Sequence, residues 1–197
     1  SKDQMLGWGK EVEKAERSGE SFEGWLTIRR NTKEKMAGFC SPKSSEEKEN
    51  FMPSKMTSQN GDRLFREAIN YHLKGDLDNA ENAYRAAIDS GLLNAALFSN
   101  LGVICQAKYR TKEALLLYKK AIQISPNHPD AYTNLGSLHK DLGNLGQALS
   151  STHKSLELRP GNPNVLINLG TIYKALGNLD KALASTLKSL SINPDNP

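Results

Sequence analysis

Apolar and small residues along the C-terminal two-thirds of the chain recur at helical spacing, and the helical stretches themselves recur every 34 residues. In 130–142, DAYTNLGSLHKDL, the residues Leu135, Leu138, His139 and Leu142 fall on one face of a helix. In 145–158, LGQALSSTHKSLEL, the residues Leu145, Ala148, Leu149, Thr152 and Leu156 fall on one face of a second. Gly143-Asn144 breaks the pattern between them, and Arg159-Pro160-Gly161 ends it. Gly143 and Gly177 predict left-handed helix ends, and Asn-Pro and Pro-Gly pairs predict the turns between copies. The same pattern runs closely from Asn162 to Pro194, more loosely from Ala95 to His128, and most loosely from Gly61 to Asn94. Four helix pairs follow, at 61–94, 95–128, 129–162 and 163–196. The fold class is all-α, an array of stacked units whose function lies on a long built surface.

Placing the copies in register gives each position a role. Gly102, Gly136 and Gly170, with Ala68 in the first copy, face Ala80, Ala114, Ala148 and Ala182, which stand twelve residues later. Small residues on both helices predict a close approach, and a larger side chain there would overpack at about 1–3 kcal/mol. Thr152 and Thr186 stand where earlier copies have Tyr84 and Tyr118; Ser155 and Ser189 stand where they have Ala87 and Ala121. Such buried hydroxyls are expected to bond the carbonyl four residues earlier, leaving the last two copies less tightly filled than the second.

Residues 1–60 differ in kind. Segment 10–17, KEVEKAER, is helix-forming, and Trp8, Phe22, Trp25, Leu26 and Ile28 are its sizeable apolar neighbours. Ser41-Pro42 and 43–49 read as a solvated linker, so the segment is a poorly ordered or partly helical extension. A sharper reading docks Trp8 and Trp25 on the array or on a partner.

Composition removes several functions. The net charge is +4, and the first 60 residues hold 11 Lys/Arg against 10 Asp/Glu, so neither part attracts nucleic acid strongly; no nucleic-acid partner is expected. Cys40 and Cys105 form no metal spacing and no disulfide framework. No apolar run approaches the ~20 residues of a membrane span, and the first 30 residues lack a signal-peptide core. The chain reads as soluble and cytoplasmic. No catalytic constellation, metal site or cofactor loop is present: the LGN stretches at 142–144 and 176–178 are helix breaks, and His139 and Cys105 hold core positions. Asp76, Glu113 and Asp180 sit at turns or helix starts, where they favour the helix dipole.

The small residues, alanines and prolines at these places resemble the tetratricopeptide-repeat pattern. Leu135-Gly136, Ala148 and Pro160 carry it in the third copy; Leu169-Gly170, Tyr173, Ala182 and Pro194 in the fourth. Leu101-Gly102, Ala114, Tyr118, Ala121 and Pro126 carry it in the second, and Tyr71, Ala80, Tyr84 and Ala87 in the first. The resemblance implies a right-handed α-solenoid that binds a protein or peptide partner along the concave side lined by the first helices.

Two residues before each small landmark stand Arg66, Asn100, Asn134 and Asn168. An asparagine amide both donates and accepts, so this column suits the N–H and C=O of an extended peptide backbone. It resembles the asparagine ladder in the tetratricopeptide region of O-linked N-acetylglucosamine transferases. Lys140 and Lys174 are expected to point into the same groove, toward an acidic side chain or a terminal carboxylate. The other role open to the asparagines is to bond neighbouring repeats and fix their stacking. A denser basic clamp is in doubt, because the first copy offers Phe65 and Ile69. The leading reading is therefore a non-enzymatic interaction scaffold. The alternative is the recognition arm of a larger enzyme, such as a glycosyltransferase. An apolar last face is expected, which more repeats, a downstream domain or self-association would cover.

Overall fold

A computed structural model describes residues 55–194. The expectations for segment 10–17, Trp8, Trp25 and Cys40 lie outside the described residues. Among the described residues eight helices follow one another: α1 Lys55–Leu73, α2 Leu77–Asp89, α3 Ala95–Ala107, α4 Thr111–Ile124, α5 Pro129–Asp141, α6 Leu145–Leu158, α7 Pro163–Ala175 and α8 Leu179–Ile192. Among the described residues there is no strand. Helix α1 begins at Lys55, inside the stretch that the sequence assigned to the extension.

Local chemistry sets the helix ends. Asn94 caps α3 by accepting from the Ala96 and Leu97 amides at 2.9 and 3.3 Å, and Asn162 caps α7 by accepting from Asn164 at 3.1 Å. Pro129 and Pro163 occupy the first position of α5 and α7, where the missing N–H costs nothing. Asn162-Pro163 thus opens a helix rather than forming the turn expected of it. The breaks inside the helix pairs follow the sequence: Gly143 and Gly177 have φ of +73° and +75°. The equivalent residue in the second pair is Tyr109, held at φ +59°.

Paired helices meet across their small residues as predicted. A Cβ on Gly102 would lie 2.5 Å from the Tyr118 ring, and one on Gly136 would lie 2.7 Å from the Thr152 hydroxyl and 3.3 Å from the Ala148 carbonyl. Thr152 and Thr186 do bond back, to the Ala148 and Ala182 carbonyls at 2.8 and 3.0 Å. Ser155 and Ser189 do not, because their hydroxyls face the companion helix. Ser155 pairs with Thr133 Oγ1 at 2.7 Å, and Ser189 donates to the Pro163 carbonyl at 3.0 Å.

Helices α4 and α6 each pack between the first helix of their own pair and that of the next, α2 packs on α3 and α8 on α7, while α3 also packs on α5 and α5 on α7. First helices therefore stack directly on first helices. This places the asparagine column.

Candidate functional site

Asn100, Asn134 and Asn168 occupy one register on α3, α5 and α7 and are half-buried there. Their amides are not equally available. Asn100 Nδ2 donates to Tyr84 Oη at 3.2 Å, and that hydroxyl also lies 3.3 Å from His72 Nδ1. Asn134 Nδ2 donates to Ser99 Oγ at 3.1 Å. Both bonds reach the preceding repeat and leave the carbonyl oxygen and a second N–H unspent. The position that would serve Asn168 is Thr133, whose hydroxyl is engaged with the Pro129 carbonyl and Ser155. Among the described residues the Asn168 side chain has no hydrogen-bond partner.

The basic candidates also divide. Lys140 lies 3.8 Å from Asp141, which accepts from Gln106 of the preceding repeat at 3.0 Å. Lys174, at the last turn of α7, and Arg66, on α1, are exposed and form no ion pair with described residues. The face that carries the asparagines is thus hydrogen-bonded between α3 and α5 and more open on α7.

The strongest polar cluster escaped the sequence reading. Glu81, with its side chain 1% exposed, accepts from Arg85 Nη2 at 2.6 Å, Lys108 Nζ at 2.9 Å and Arg110 Nη2 at 2.6 Å. Arg85 also donates to Glu113 at 2.8 Å, across 28 positions. Glu113 stands in the first turn of α4, as expected, but it is a buried ion-pair partner besides a dipole charge. Burial alone would push the Glu81 carboxyl up; the bond from Arg110, the field of Arg85 and the bond from Lys108 overcome it and hold it at about 2. Only the 34-residue register could have signalled this cluster, because Leu115 and Leu149 hold the position of Glu81 in later copies.

The two core positions flagged in sequence are indeed buried. Burial and the Glu113 carboxylate push the Cys105 thiol up to about 12, so it stays protonated and unreactive at neutral pH. His139 is 8% exposed; burial, then the Lys119 charge, lowers its pKa below the ordinary range. Among the described residues no group of three His, Cys, Asp or Glu could hold a metal, and no helix is long and apolar enough to cross a membrane.

Family models agree with this geometry. A TPR repeat model matches 110–143, and tetratricopeptide repeat models match 129–162 and 163–196. Residues 110–196 are tetratricopeptide repeats. Solved repeat proteins share the fold. YrrB, described as a TPR protein with an unusual peptide-binding site, is 27% identical over 71% of this chain and 72% of its own, with a TM-score of 0.60. A tetratricopeptide repeat protein from Parabacteroides merdae is 29% identical over 70% of this chain and 55% of its own, also at 0.60. PilF from Pseudomonas aeruginosa, 21% identical over 73% of this chain and 65% of its own, reaches 0.65 and is a likeness of fold. No curated protein sequence matches the chain.

Proposed function

We propose that this chain is a protein-interaction scaffold whose repeats hold an extended peptide along the inner face of the first helices. The observation that carries this reading is the register of Asn100, Asn134 and Asn168 on stacked helices, each with amide capacity left over. Asn168 keeps its whole amide for a ligand, while Asn100 and Asn134 offer their carbonyls and one N–H. Lys174 supplies an exposed cation about one and two-thirds turns beyond Asn168, so the favoured peptide carries a carboxylate at that end. YrrB, similar over most of both chains and described as having a peptide-binding site, supports the class of ligand. At about 1 kcal/mol per net hydrogen bond the column yields a modest affinity, suited to reversible capture.

Peptides selected on the full chain from a random display library test the proposal. Selected peptides are expected to lose about tenfold in affinity on Asn168→Ala and to favour acidic residues opposite Lys174. Peptides that bind Asn168→Ala and Lys174→Ala as well as the parent would overturn it.

A further inference from the structure

The side chains beside the asparagine register change along the array. Three residues beyond Arg66, Asn100, Asn134 and Asn168, and so on the same side of each helix, stand Ile69, Val103, Ser137 and Thr171. Three residues further on, Ile69 is followed by His72 and Val103 by Gln106, while Ser137 and Thr171 are followed by Lys140 and Lys174. Branched apolar side chains keep to α1 and α3, and lysines keep to α5 and α7.

The apolar half is built around Tyr84 of α2. Its ring centroid lies 6.0 Å from that of Phe65 and 6.1 Å from that of His72. Its hydroxyl meets His72 and the Asn100 amide, so one side-chain cluster joins α1 to α3 at a junction of consecutive repeats. Tyr84 is fully enclosed and forms the floor, whereas Phe65, Ile69, Asn100 and Val103 are half-buried. Later repeats lack the combination. The second keeps a tyrosine, Tyr118, but has Ser99 in place of Phe65; the last two have Thr152 and Thr186 in place of the tyrosine.

We propose that the first two repeats seat one bulky apolar side chain of the bound peptide, a leucine, isoleucine or aromatic residue, against Phe65, Ile69 and Val103. This rests on the role proposed above for the asparagine column, which holds the backbone of the same peptide while its acidic residue lies at Lys174. Packed helices stand about 8–10 Å apart, so α3 and α7, two steps apart in the stack, are separated by roughly 20 Å. Extended chain covers that in about six residues at ~3.3 Å each. The ligand is a bipartite motif, an apolar anchor about six residues from a carboxylate. The separation of apolar from lysine side chains along the column allows it a single orientation, because reversal would place the carboxylate on Phe65 and Ile69.

Peptides selected on the full chain from a random display library, followed by titration of a labelled synthetic peptide of the most enriched sequence, test this. The expected enrichment is a bulky apolar residue about six positions from an acidic one. Replacing that residue by serine should weaken binding to the parent by at least about tenfold. On Ile69→Thr combined with Val103→Ser the same replacement should matter less than about threefold. These substitutions install side chains that the register already carries at Thr171 and Ser137. Val103→Thr alone keeps the parent's shape and should cut the preference about threefold, which covers a double variant that does not fold. Each protein is compared with itself on two peptides, so a change in stability cancels. Peptides that depend on Asn168 and Lys174 but carry no apolar anchor, or an anchor preference that survives these substitutions, would overturn the proposal and leave the peptide-binding role standing. Peptides indifferent to Asn168 and Lys174 would overturn that role, and the anchor with it.

Discussion

The Asn134 amide donates to the Ser99 hydroxyl at 3.1 Å and so joins α5 to α3 across a repeat boundary. Ser99 is only 2% exposed, so the bond satisfies a group that water cannot reach. Asn134→Ala should therefore lower stability by about 1 kcal/mol, whereas Asn168→Ala should leave it unchanged. Chemical denaturation of the two single variants measures the difference. Equal midpoints would remove the stacking role assigned to Asn134.

Glu81 is the centre of a second prediction. Its folded pKa, about 2, lies below the ordinary carboxylate value of 4.5. The carboxylate therefore stabilises the fold fully above pH 4.5, and that contribution fades as pH falls toward 2. By linkage it is on the order of 3 kcal/mol. Glu81→Gln leaves Arg85, Lys108 and Arg110 facing a neutral amide, and about 3–5 kcal/mol should be lost at neutral pH. The variant's stability should also vary less between pH 4.5 and 2 than the parent's. An unchanged acid profile would show that other carboxylates govern acid unfolding.

The glycines differ in what opposes them. A methyl on Gly102 meets the ring of fully buried Tyr118, whose hydroxyl is tied to Gln106 at 2.9 Å. Gly102→Ala should cost about 1–3 kcal/mol. A methyl on Gly136 meets chiefly a rotatable threonine hydroxyl, and the gain in helix propensity of about 1 kcal/mol offsets much of that contact. Thermal melts should thus rank Gly102→Ala well below Gly136→Ala, and the reverse order would refute the packing account.

Tyr109 holds a left-handed backbone angle that other helix pairs give to glycine, while its side chain is 93% exposed. Tyr109→Gly should relieve about 1 kcal/mol of strain without removing packing. A raised melting temperature checks this; a lowered one would mean that the ring makes a contact in solution.

Much of the fold was legible because helical spacing and a fixed period are local signals. The breaks at Gly143 and Gly177, the small-residue contacts and the buried state of His139 and Cys105 all follow from them. What periodicity hid was the partner of each polar side chain. Glu81 finds Lys108 and Arg110 about one repeat away, and nothing in its own helix announces them. For the same reason the hydroxyls of Ser155 and Ser189 depart from the expected bond within their own helix: their partners, Thr133 and the Pro163 carbonyl, stand on the companion helix. The asparagine column was visible in sequence, but the division between Asn134, tied to Ser99, and Asn168, with an unspent amide, needed the neighbouring helices.

Burial is spread unevenly along the array. Tyr84, Phe98, Leu101 and Tyr118 are fully enclosed, whereas the buried residues of α8 are Ser185 and Ser189. Amide protons of α3 and α4 should therefore exchange with solvent only through near-global opening, and those of α8 through frequent fraying. Such a gradient makes the chain a reporter of its own occupancy. A ligand lying from α3 to α7 would quiet the frayed end more than the firm one, and deuterium uptake along α8 would register its arrival.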